Sequence, residues 1–227
     1  MTVMTAPTDR LQALIRRITG DQKHAPSAHS TLDVLWVLYD KVLRIRPDTV
    51  DEPDRDRFLL SKGHGPAAYY AVLAAKGFFP VGWLDGLGTW DSPLGHHPDR
   101  VLIPGVEVGT GSLGHGLGLA VGTALGLRAQ GYRDSRTFVL IGDAELDEGS
   151  NHEAIAYAAA TGLPLTAIVI DNQSSTHGWP GGIPARFPGW VTAMVDGRDH
   201  DEIERALRIH HHDRPNVIVA VVESKRG

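Results

Sequence analysis

The sequence predicts an α/β fold in which a parallel, twisted β-sheet is covered by helices on both faces. Short apolar runs rich in β-branched residues occur at 137–141, 165–170 and 217–222. Segments with helical spacing alternate with these runs, which is typical of parallel strands joined by helices. The runs are continuous rather than alternating, as expected of strands buried on both faces. Because no linker, repeat or low-complexity segment interrupts the pattern, we expect one domain over residues 1–227.

The N-terminal third of the chain contains three predicted helices. The first covers 8–19, with Thr8 as candidate N-cap, a stripe of leucine and isoleucine, and Gly20 as the stop. A capping box at 30–33 opens a second helix that extends to about residue 43. Residues 55–63 are predicted to be a polar connection around a short apolar run. An alanine-rich, buried helix follows over 66–76 and is closed by Gly77.

The remaining segments alternate between loops, helices and the three strands. Residues 80–108 are rich in glycine, proline, tryptophan and aspartate and are predicted to form a long ordered loop, a kind of segment that is often functional. A glycine-rich stretch at 109–118 leads into a helix that ends near residue 130. Two further helices are predicted, at 148–161 and 199–211.

The composition excludes several classes of function. The chain has 227 residues, of which 42% are hydrophobic and 22% charged, with a net charge of −5. The absence of a basic stripe argues against a nucleic-acid partner. The absence of cysteine excludes disulfides and thiol catalysis within these residues. Neither a signal-peptide pattern nor a run long enough to span a membrane is present, so we expect a cytoplasmic protein.

Polar residues follow two of the predicted strands at the point where each strand ends. Asp143 comes directly after the first strand, and Asn172 follows the second. Parallel strands deliver such residues to one carboxyl edge of the sheet, where open α/β sheets bind ligands. A hard divalent cation prefers oxygen ligands, which Asp143, Asn172 and the carbonyl of Ser174 can supply together with ligand phosphates. The N-terminus of the helix that begins near Ser150 favours anions at the same edge.

The segment GDAELDEGSNHEA…VIDNQSSTHG resembles the thiamine-diphosphate motif, which reads GDG, then 25 to 30 residues, then Asn. The resemblance implies that thiamine diphosphate and Mg²⁺ bind here, with Asp143 and Asn172 as metal ligands that bridge to the cofactor diphosphate. At this strand end, the resemblance implies that the cofactor contacts Gly142, Asp143, Ala144 and Glu145. Ala144 replaces the second glycine of the motif. If that position requires a positive φ, alanine costs about 1 kcal/mol there.

The rest of the chain distinguishes transketolases from the α subunits of 2-oxoacid dehydrogenases, which share this motif. Four segments resemble transketolase segments and occur in the same order as in that family. They are HAPSAHSTLDVLWVLYDKVLRIRP (24–47), DRFLLSKGHGPAAYYAVLAAKGFFP (56–80), LGHHPDR (94–100) and PGVEVGTGSLGHGLGLAVG (104–122). The similarity covers about residues 10–225. It implies the thiamine-diphosphate-binding fold of the diphosphate-binding (PP) type, as the N-terminal subunit of a split transketolase.

The resemblance also implies roles for three histidines and for part of the glycine-rich stretch. His24 matches the histidine near the reacting oxygens of the substrate. His64 matches the one that contacts the diphosphate and the substrate region, and His97 matches the one that hydrogen-bonds the hydroxyl groups of the donor sugar. Imidazoles suit this task because their pKa near neutrality lets them relay protons. The segment that packs on the aminopyrimidine ring matches Gly111, Ser112 and Leu113.

No segment resembles the pyrimidine-binding domain, whose glutamate activates the cofactor in this family. The resemblance therefore implies a partner chain that carries this glutamate, an active site at the interface and an α2β2 heterotetramer. The expected reaction is transfer of a two-carbon ketol unit from a ketose or ketose phosphate to an aldehyde. Two alternatives are half of an enzyme that decarboxylates a 2-oxoacid and transfers the acyl unit, and a non-catalytic scaffold subunit.

Overall fold

A computed structural model describes residues 7–18, 29–64 and 66–224, with side chains from residue 11 onwards. Its centre is a sheet of five parallel strands in the order β1-β2-β3-β5-β4. The strands are β1 (Arg57–Leu60), β2 (Thr137–Gly142), β3 (Leu165–Asp171), β4 (Val191–Asp196) and β5 (Asn216–Val221). The predicted parallel α/β class is confirmed.

Within the described residues, six α-helices surround the sheet. They are α1 (Pro7–Arg17), α2 (Leu32–Val37), α3 (Ala67–Ala75), α4 (Gly116–Ala129), α5 (Gly149–Ala160) and α6 (His200–Arg208). A π-helical turn, Leu38–Val42, continues α2, and short 3-10 helices lie at Pro47–Thr49, Val81–Gly86, Ala144–Asp147 and Ile183–Arg186. In the described part of the chain, no helix is both long and apolar enough to cross a membrane.

The central strands are apolar throughout because helices cover both faces. Side chains of successive strand residues point to opposite faces. Phe138 and Leu140 therefore join the core with α1, α2, α3 and α6, whereas Val139 and Ile141 join a second core with α4 and α5. All four side chains are buried, which is the physical reason for the continuous apolar run at this strand.

Two strands were not predicted from the sequence. Residues 55–63 were expected to form a connection, but Arg57–Leu60 forms β1 and pairs with β2. Four residues are too few for a periodic signal. The edge strand β4 follows a segment rich in glycine and proline. Some side chains of β4, such as that of Met194, are exposed, so this strand lacks the continuous apolar run of the inner strands.

The strand register brings three chain segments to one edge of the sheet. Leu60 lies opposite Leu140, and Gly142 lies opposite Ile170. The residues that directly follow β1, β2 and β3 are therefore neighbours at the carboxyl edge, where α5 also begins. The ladder continues one step beyond β2, since the Asp143 amide donates to the Ile170 carbonyl at 3.1 Å.

Candidate active site

A cavity of about 220 Å³ opens at the carboxyl edge of β1, β2 and β3. It is bounded by the ends of these strands, by the glycine-rich stretch before α4 and by one residue of the long 80–108 loop. The lining residues are Ser61, Lys62, Gly63, His64, His97, Gly111, Leu113, Gly142, Ala144, Glu145, Asn172 and Ser174. Nine of the residues predicted from the sequence to bind cofactor, metal or substrate therefore meet here, Ser174 among them.

Asp143 is buried behind the cavity wall and does not line the cavity. Its Oδ1 accepts hydrogen bonds from the Ala144 amide at 2.8 Å and the Ser174 hydroxyl at 2.5 Å. Its Oδ2 accepts from the amides of Ser174 at 2.6 Å and Ser175 at 3.1 Å. The carboxylate thus joins the end of β2 to the turn that follows β3.

Asn172 differs from Asp143, because its amide oxygen has no hydrogen-bond partner among the described residues although it is buried. A buried oxygen without a donor costs free energy that a cation can recover. The oxygen lies on a residue that lines the cavity and follows β3, next to the segment that bonds Asp143. The side-chain oxygens of Asp143 and Asn172 therefore fit as ligands of a divalent cation whose remaining ligands would be phosphate and backbone oxygens.

The described ranges contain no group of three or more His, Asp or Glu side chains able to hold a metal by themselves. A cation at Asp143 and Asn172 would therefore depend on oxygens of a bound ligand. Ser174 turns its amide and its hydroxyl toward Asp143, so its carbonyl, the predicted third ligand, is the one polar group of this residue left for a cation.

Glu145 is a buried carboxylate that connects three segments of the site. Its Oε1 accepts from the Ser61 hydroxyl at 2.5 Å and the Gly114 amide at 3.0 Å, and its Oε2 accepts from the Gly142 amide at 3.3 Å. Burial raises the pKa of Glu145 above its ordinary value, and these hydrogen bonds oppose the rise. Glu145 thereby fixes the glycine-rich stretch against the ends of β1 and β2.

The two described histidines of the predicted set, His64 and His97, line the same cavity. The imidazole of His97 lies 3.1 Å from the Thr110 hydroxyl through Nδ1. It approaches Gly63 so closely that a Cβ at that position would lie 3.1 Å from Nδ1. A glycine at position 63 is therefore what lets the ring reach the cavity wall. His24, the third predicted histidine, lies outside the described residues.

Of the three residues predicted to pack on the aminopyrimidine ring, two line the cavity and one does not. Gly111, with a φ of +120°, and Leu113 line the cavity, and the Leu113 side chain remains 52% exposed. Ser112 does not line it, and its hydroxyl lies 2.6 Å from Nδ1 of His115. An exposed leucine at this cavity is suited to contact with an apolar ring or with a second chain.

The condition under which alanine would strain the backbone at position 144, a positive φ, is not met. Ala144 begins the 3-10 helix Ala144–Asp147, and Gln173 is the one non-glycine residue with a positive φ in the described part of the chain. The backbone there accepts any L-residue, so the expected conformational cost of about 1 kcal/mol does not arise. The Ala144 methyl group nevertheless forms part of the cavity wall.

Sequence reasoning missed two groups of residues around the cavity. Ser61, Lys62 and Gly63 line it, and recognising β1 would have placed them at the same strand edge as Asp143. The second group holds the 173–190 loop in place. We call it the Trp179 cluster, and it consists of Asp147, His152, Trp179 and Arg186.

The Trp179 cluster combines an ion pair with ring stacking. Arg186 is buried and donates to Asp147 at 2.6 Å, and its guanidinium lies 4.9 Å from the centre of the Trp179 ring. His152 of α5 stacks on Trp179 with ring centres 5.4 Å apart. Although burial raises the pKa of Asp147, the hydrogen bonds from Arg186 and Ser175 lower it below the ordinary value overall. The loop is thus attached both to α5 and to the 3-10 helix after β2.

Comparison with known proteins places this arrangement in one family. Residues 12–222 match the model described as transketolase, thiamine diphosphate binding domain. A protein of Rhodococcoides fascians named ferredoxin fas2 is 58% identical over 217 residues, which cover 94% of this chain and 71% of the relative. These 227 residues contain no cysteine, the usual ligand of the iron–sulfur cluster in ferredoxins.

A second relative and a solved structure agree with the family match. One subunit of the apulose-4-phosphate transketolase of Actinobacillus succinogenes is 42% identical over 207 residues, covering 87% of this chain and 75% of the relative. A transketolase variant from Pichia stipitis, solved with fructose-6-phosphate, superposes with a TM-score of 0.79 at 27% identity. That match covers 93% of this chain but 36% of the solved chain.

Proposed function

Since the chain belongs to the family of transketolase thiamine-diphosphate-binding domains, we propose that it binds thiamine diphosphate and Mg²⁺ as one subunit of a split transketolase. The reaction is transfer of a two-carbon ketol unit from a ketose or ketose phosphate to an aldehyde acceptor. The partner is a pyrimidine-binding subunit that supplies the activating glutamate. The relative from Actinobacillus succinogenes is named as one subunit of its transketolase, which supports a division of the enzyme between chains.

The unpaired amide oxygen of Asn172 is the observation that carries the proposal. It is buried, it belongs to a residue that lines the cavity, and the carboxylate of Asp143 lies close by behind Ser174. A buried acceptor without a donor lowers the free energy of unfolding of the chain, and a bound cation would compensate for this loss. Asp143, Asn172 and the Ser174 carbonyl would hold Mg²⁺, and the cation would in turn hold the diphosphate.

Thiamine diphosphate, when bound, supplies the electron sink for cleavage and formation of the carbon–carbon bond. The chain contributes binding, orientation and proton transfer. His64 and His97 line the cavity, which supports a role for them in donating or accepting protons at substrate oxygens, and we assign the same role to His24. Gly111, Ser112 and Leu113 would contact the aminopyrimidine ring, with Ser112 acting through its backbone because its hydroxyl is engaged with His115.

Cofactor contacts at the end of β2 are proposed for Gly142, Asp143, Ala144 and Glu145, with Glu145 keeping the cavity in shape. The non-catalytic scaffold alternative drew its main support from Ala144. That support is weakened, since the backbone at this position does not require glycine.

The decisive experiment is calorimetric titration of thiamine diphosphate with Mg²⁺ into this chain, alone and with a candidate pyrimidine-binding subunit. We expect tight binding in the presence of the partner and loss of binding in Asp143→Ala. Ketol transfer from sugar donors by the complex would separate the proposal from acyl transfer after 2-oxoacid decarboxylation. Absence of binding with and without the partner would refute the cofactor assignment.

A further inference from the structure

The carboxylate of Asp143 is fully occupied by hydrogen-bond donors in this structure. An ionised carboxylate offers about four lone-pair positions. Oδ1 accepts from the Ala144 amide and the Ser174 hydroxyl, and Oδ2 accepts from the amides of Ser174 and Ser175. A cation that is to contact Asp143 must therefore displace one of these four donors.

Three of the four donors are backbone groups held by other contacts. The Ala144 amide belongs to the 3-10 helix Ala144–Asp147. The amides of Ser174 and Ser175 belong to a turn whose preceding residue, Gln173, has a φ of +56° and donates to the Asp171 carboxylate at 3.1 Å. Withdrawing any of them requires a change of backbone conformation.

The Trp179 cluster further restrains this turn. The Ser175 hydroxyl lies 3.0 Å from Asp147, and Asp147 is paired with the buried Arg186. Arg186 in turn stacks on Trp179 within the same loop. The two serine amides are therefore attached to the 3-10 helix after β2 at a second point, in addition to Asp143.

The fourth donor, the Ser174 hydroxyl, leaves by rotation about one side-chain bond with no backbone movement. It also lies on the path to the carboxylate, because Ser174 lines the cavity and Asp143 does not. Of the two donor residues that line the cavity, Ala144 and Ser174, only Ser174 can withdraw a donor, its hydroxyl, without a change of backbone conformation.

We propose that the Ser174 hydroxyl competes with the divalent cation for Oδ1 of Asp143 and so sets the cation affinity of this chain. The inference rests on the proposed function, because it concerns the cation of that same site. In the free state the hydroxyl covers the carboxylate and Asn172 offers the first open oxygen. The cation gains its contact with Asp143 when the hydroxyl rotates away.

The test is Mn²⁺ binding to the full chain in the presence of saturating thiamine diphosphate, measured from the electron paramagnetic resonance signal of free Mn²⁺. Wild type is compared with Ser174→Ala, with Ser174→Thr, which retains a hydroxyl, and with Ser135→Ala. The hydroxyl of Ser135 also donates a hydrogen bond, to the Asp54 carbonyl at 2.7 Å, away from the site. Each protein is measured alone and with the pyrimidine-binding subunit.

We expect Ser174→Ala to bind Mn²⁺ about three- to tenfold more tightly, the range that corresponds to loss of one competing hydrogen bond. Ser174→Thr and Ser135→Ala should stay within about twofold of wild type. Thermal unfolding of the cation-free chain should show a lower midpoint for Ser174→Ala, since the hydrogen bond to Asp143 is lost. Tighter cation binding in a less stable chain separates competition from a general loosening of the site, which would weaken binding.

Unchanged or weaker Mn²⁺ binding in Ser174→Ala, with wild type binding normally, would overturn the inference and leave the proposed function intact. A weaker affinity would make the hydroxyl a ligand rather than a competitor. If wild type takes up no Mn²⁺ in any arm, the proposed cofactor function fails, and the inference fails with it.

Discussion

At the scale of single residues, the buried side-chain oxygens of Asp143 and Asn172 differ in whether they accept hydrogen bonds. Every lone pair of Asp143 accepts a hydrogen bond, so its carboxylate stabilises the fold as it stands. The oxygen of Asn172 accepts none from the described residues and reduces the stability of the free chain. Because Asn172 also lines the cavity, this cost to the fold indicates a ligand-binding role.

Replacing Asn172 with leucine, whose side chain has the same branching but no polar atom, should change stability and binding in opposite directions. Removal of the unpaired buried oxygen should raise the free energy of unfolding of the cofactor-free chain by about 1–2 kcal/mol. Binding of thiamine diphosphate with Mg²⁺ should weaken by at least about tenfold, because one of the cation ligands is gone. Urea unfolding and calorimetric titration measure the two quantities. A variant that loses stability would show that Asn172 serves the fold.

Asp147 makes the stability of the chain depend on pH. Because the folded state holds the pKa of Asp147 below its ordinary value of 3.8, the folded chain binds fewer protons than the unfolded chain near that pH. The contribution of Asp147 is therefore complete above the unfolded-state pKa and is lost as pH falls through the lower folded-state pKa. The difference in unfolding free energy between wild type and Asp147→Asn should stay constant above about pH 5 and shrink below it. Urea unfolding at several pH values tests this, and a constant difference down to about pH 2 would contradict it.

At the scale of elements, the start of α4 is fitted tightly against the end of β1. The Gly116 amide donates to the Ser61 hydroxyl at 3.1 Å, and a Cβ at position 116 would lie 2.8 Å from the Ser61 Cα. Ser61 in turn donates to Glu145. The absence of a side chain at Gly116 thus allows the contact that holds the glycine-rich stretch against the cavity.

Two glycine-to-alanine variants of α4 should have opposite effects. Gly116→Ala should lower the free energy of unfolding by about 2 kcal/mol, because the new methyl group collides with the side chain and the Cα of Ser61. Gly122→Ala is the matched control, since no atom lies within 4 Å of a Cβ at that position. It should raise stability by about 0.5–1 kcal/mol through helix propensity. Equal effects of the two substitutions in urea unfolding would refute the packing argument.

The 173–190 loop is held by the Trp179 cluster rather than by regular structure. Trp179→Ala removes both the stacking on His152 and the contact with the Arg186 guanidinium, and we expect it to cost about 1–2 kcal/mol. Hydrogen exchange at the amides of Ser174 and Ser175 should become faster. Trp90→Ala is the control, because Trp90 is fully exposed and its removal should change neither quantity. Unchanged exchange in Trp179→Ala would show that the cluster does not restrain the turn at Asp143.

At the scale of the whole molecule, the sheet order brings residues from β1, β2 and β3 to one edge, but it leaves that edge open. The cavity has an exposed leucine, Leu113, on its wall, and the chain corresponds to 36% of a solved transketolase. We therefore expect a complex of two copies of this chain with two copies of a pyrimidine-binding subunit.

Sedimentation velocity of the chain mixed with this partner should show the α2β2 species, and thiamine diphosphate with Mg²⁺ should raise the thermal midpoint of the mixture. The cofactor should shift the chain alone much less, since ligand stabilisation follows affinity. A cofactor shift of equal size without the partner would contradict the proposed division of the site.

The sequence by itself determined the parallel α/β class, the family resemblance and the presence of Asp143 and Asn172 at strand ends. Continuous apolar runs and short motifs involve residues that are close together in the sequence, so they can be recognised without the structure. The expectation of a single domain, and the roles of His24, Ser112 and the other site residues, remain predictions.

Only the tertiary structure decided how these residues are used. The strands β1 and β4 are short or half-exposed, so pairing with their neighbours, rather than local pattern, defines them. The hydrogen bonds from Ser174 and Ser175 to Asp143 span about 30 positions, and the ordinary backbone at Ala144 depends on the turn around it. Whether a buried oxygen is satisfied depends on which distant donors the fold brings to it, and no sequence pattern carries that information.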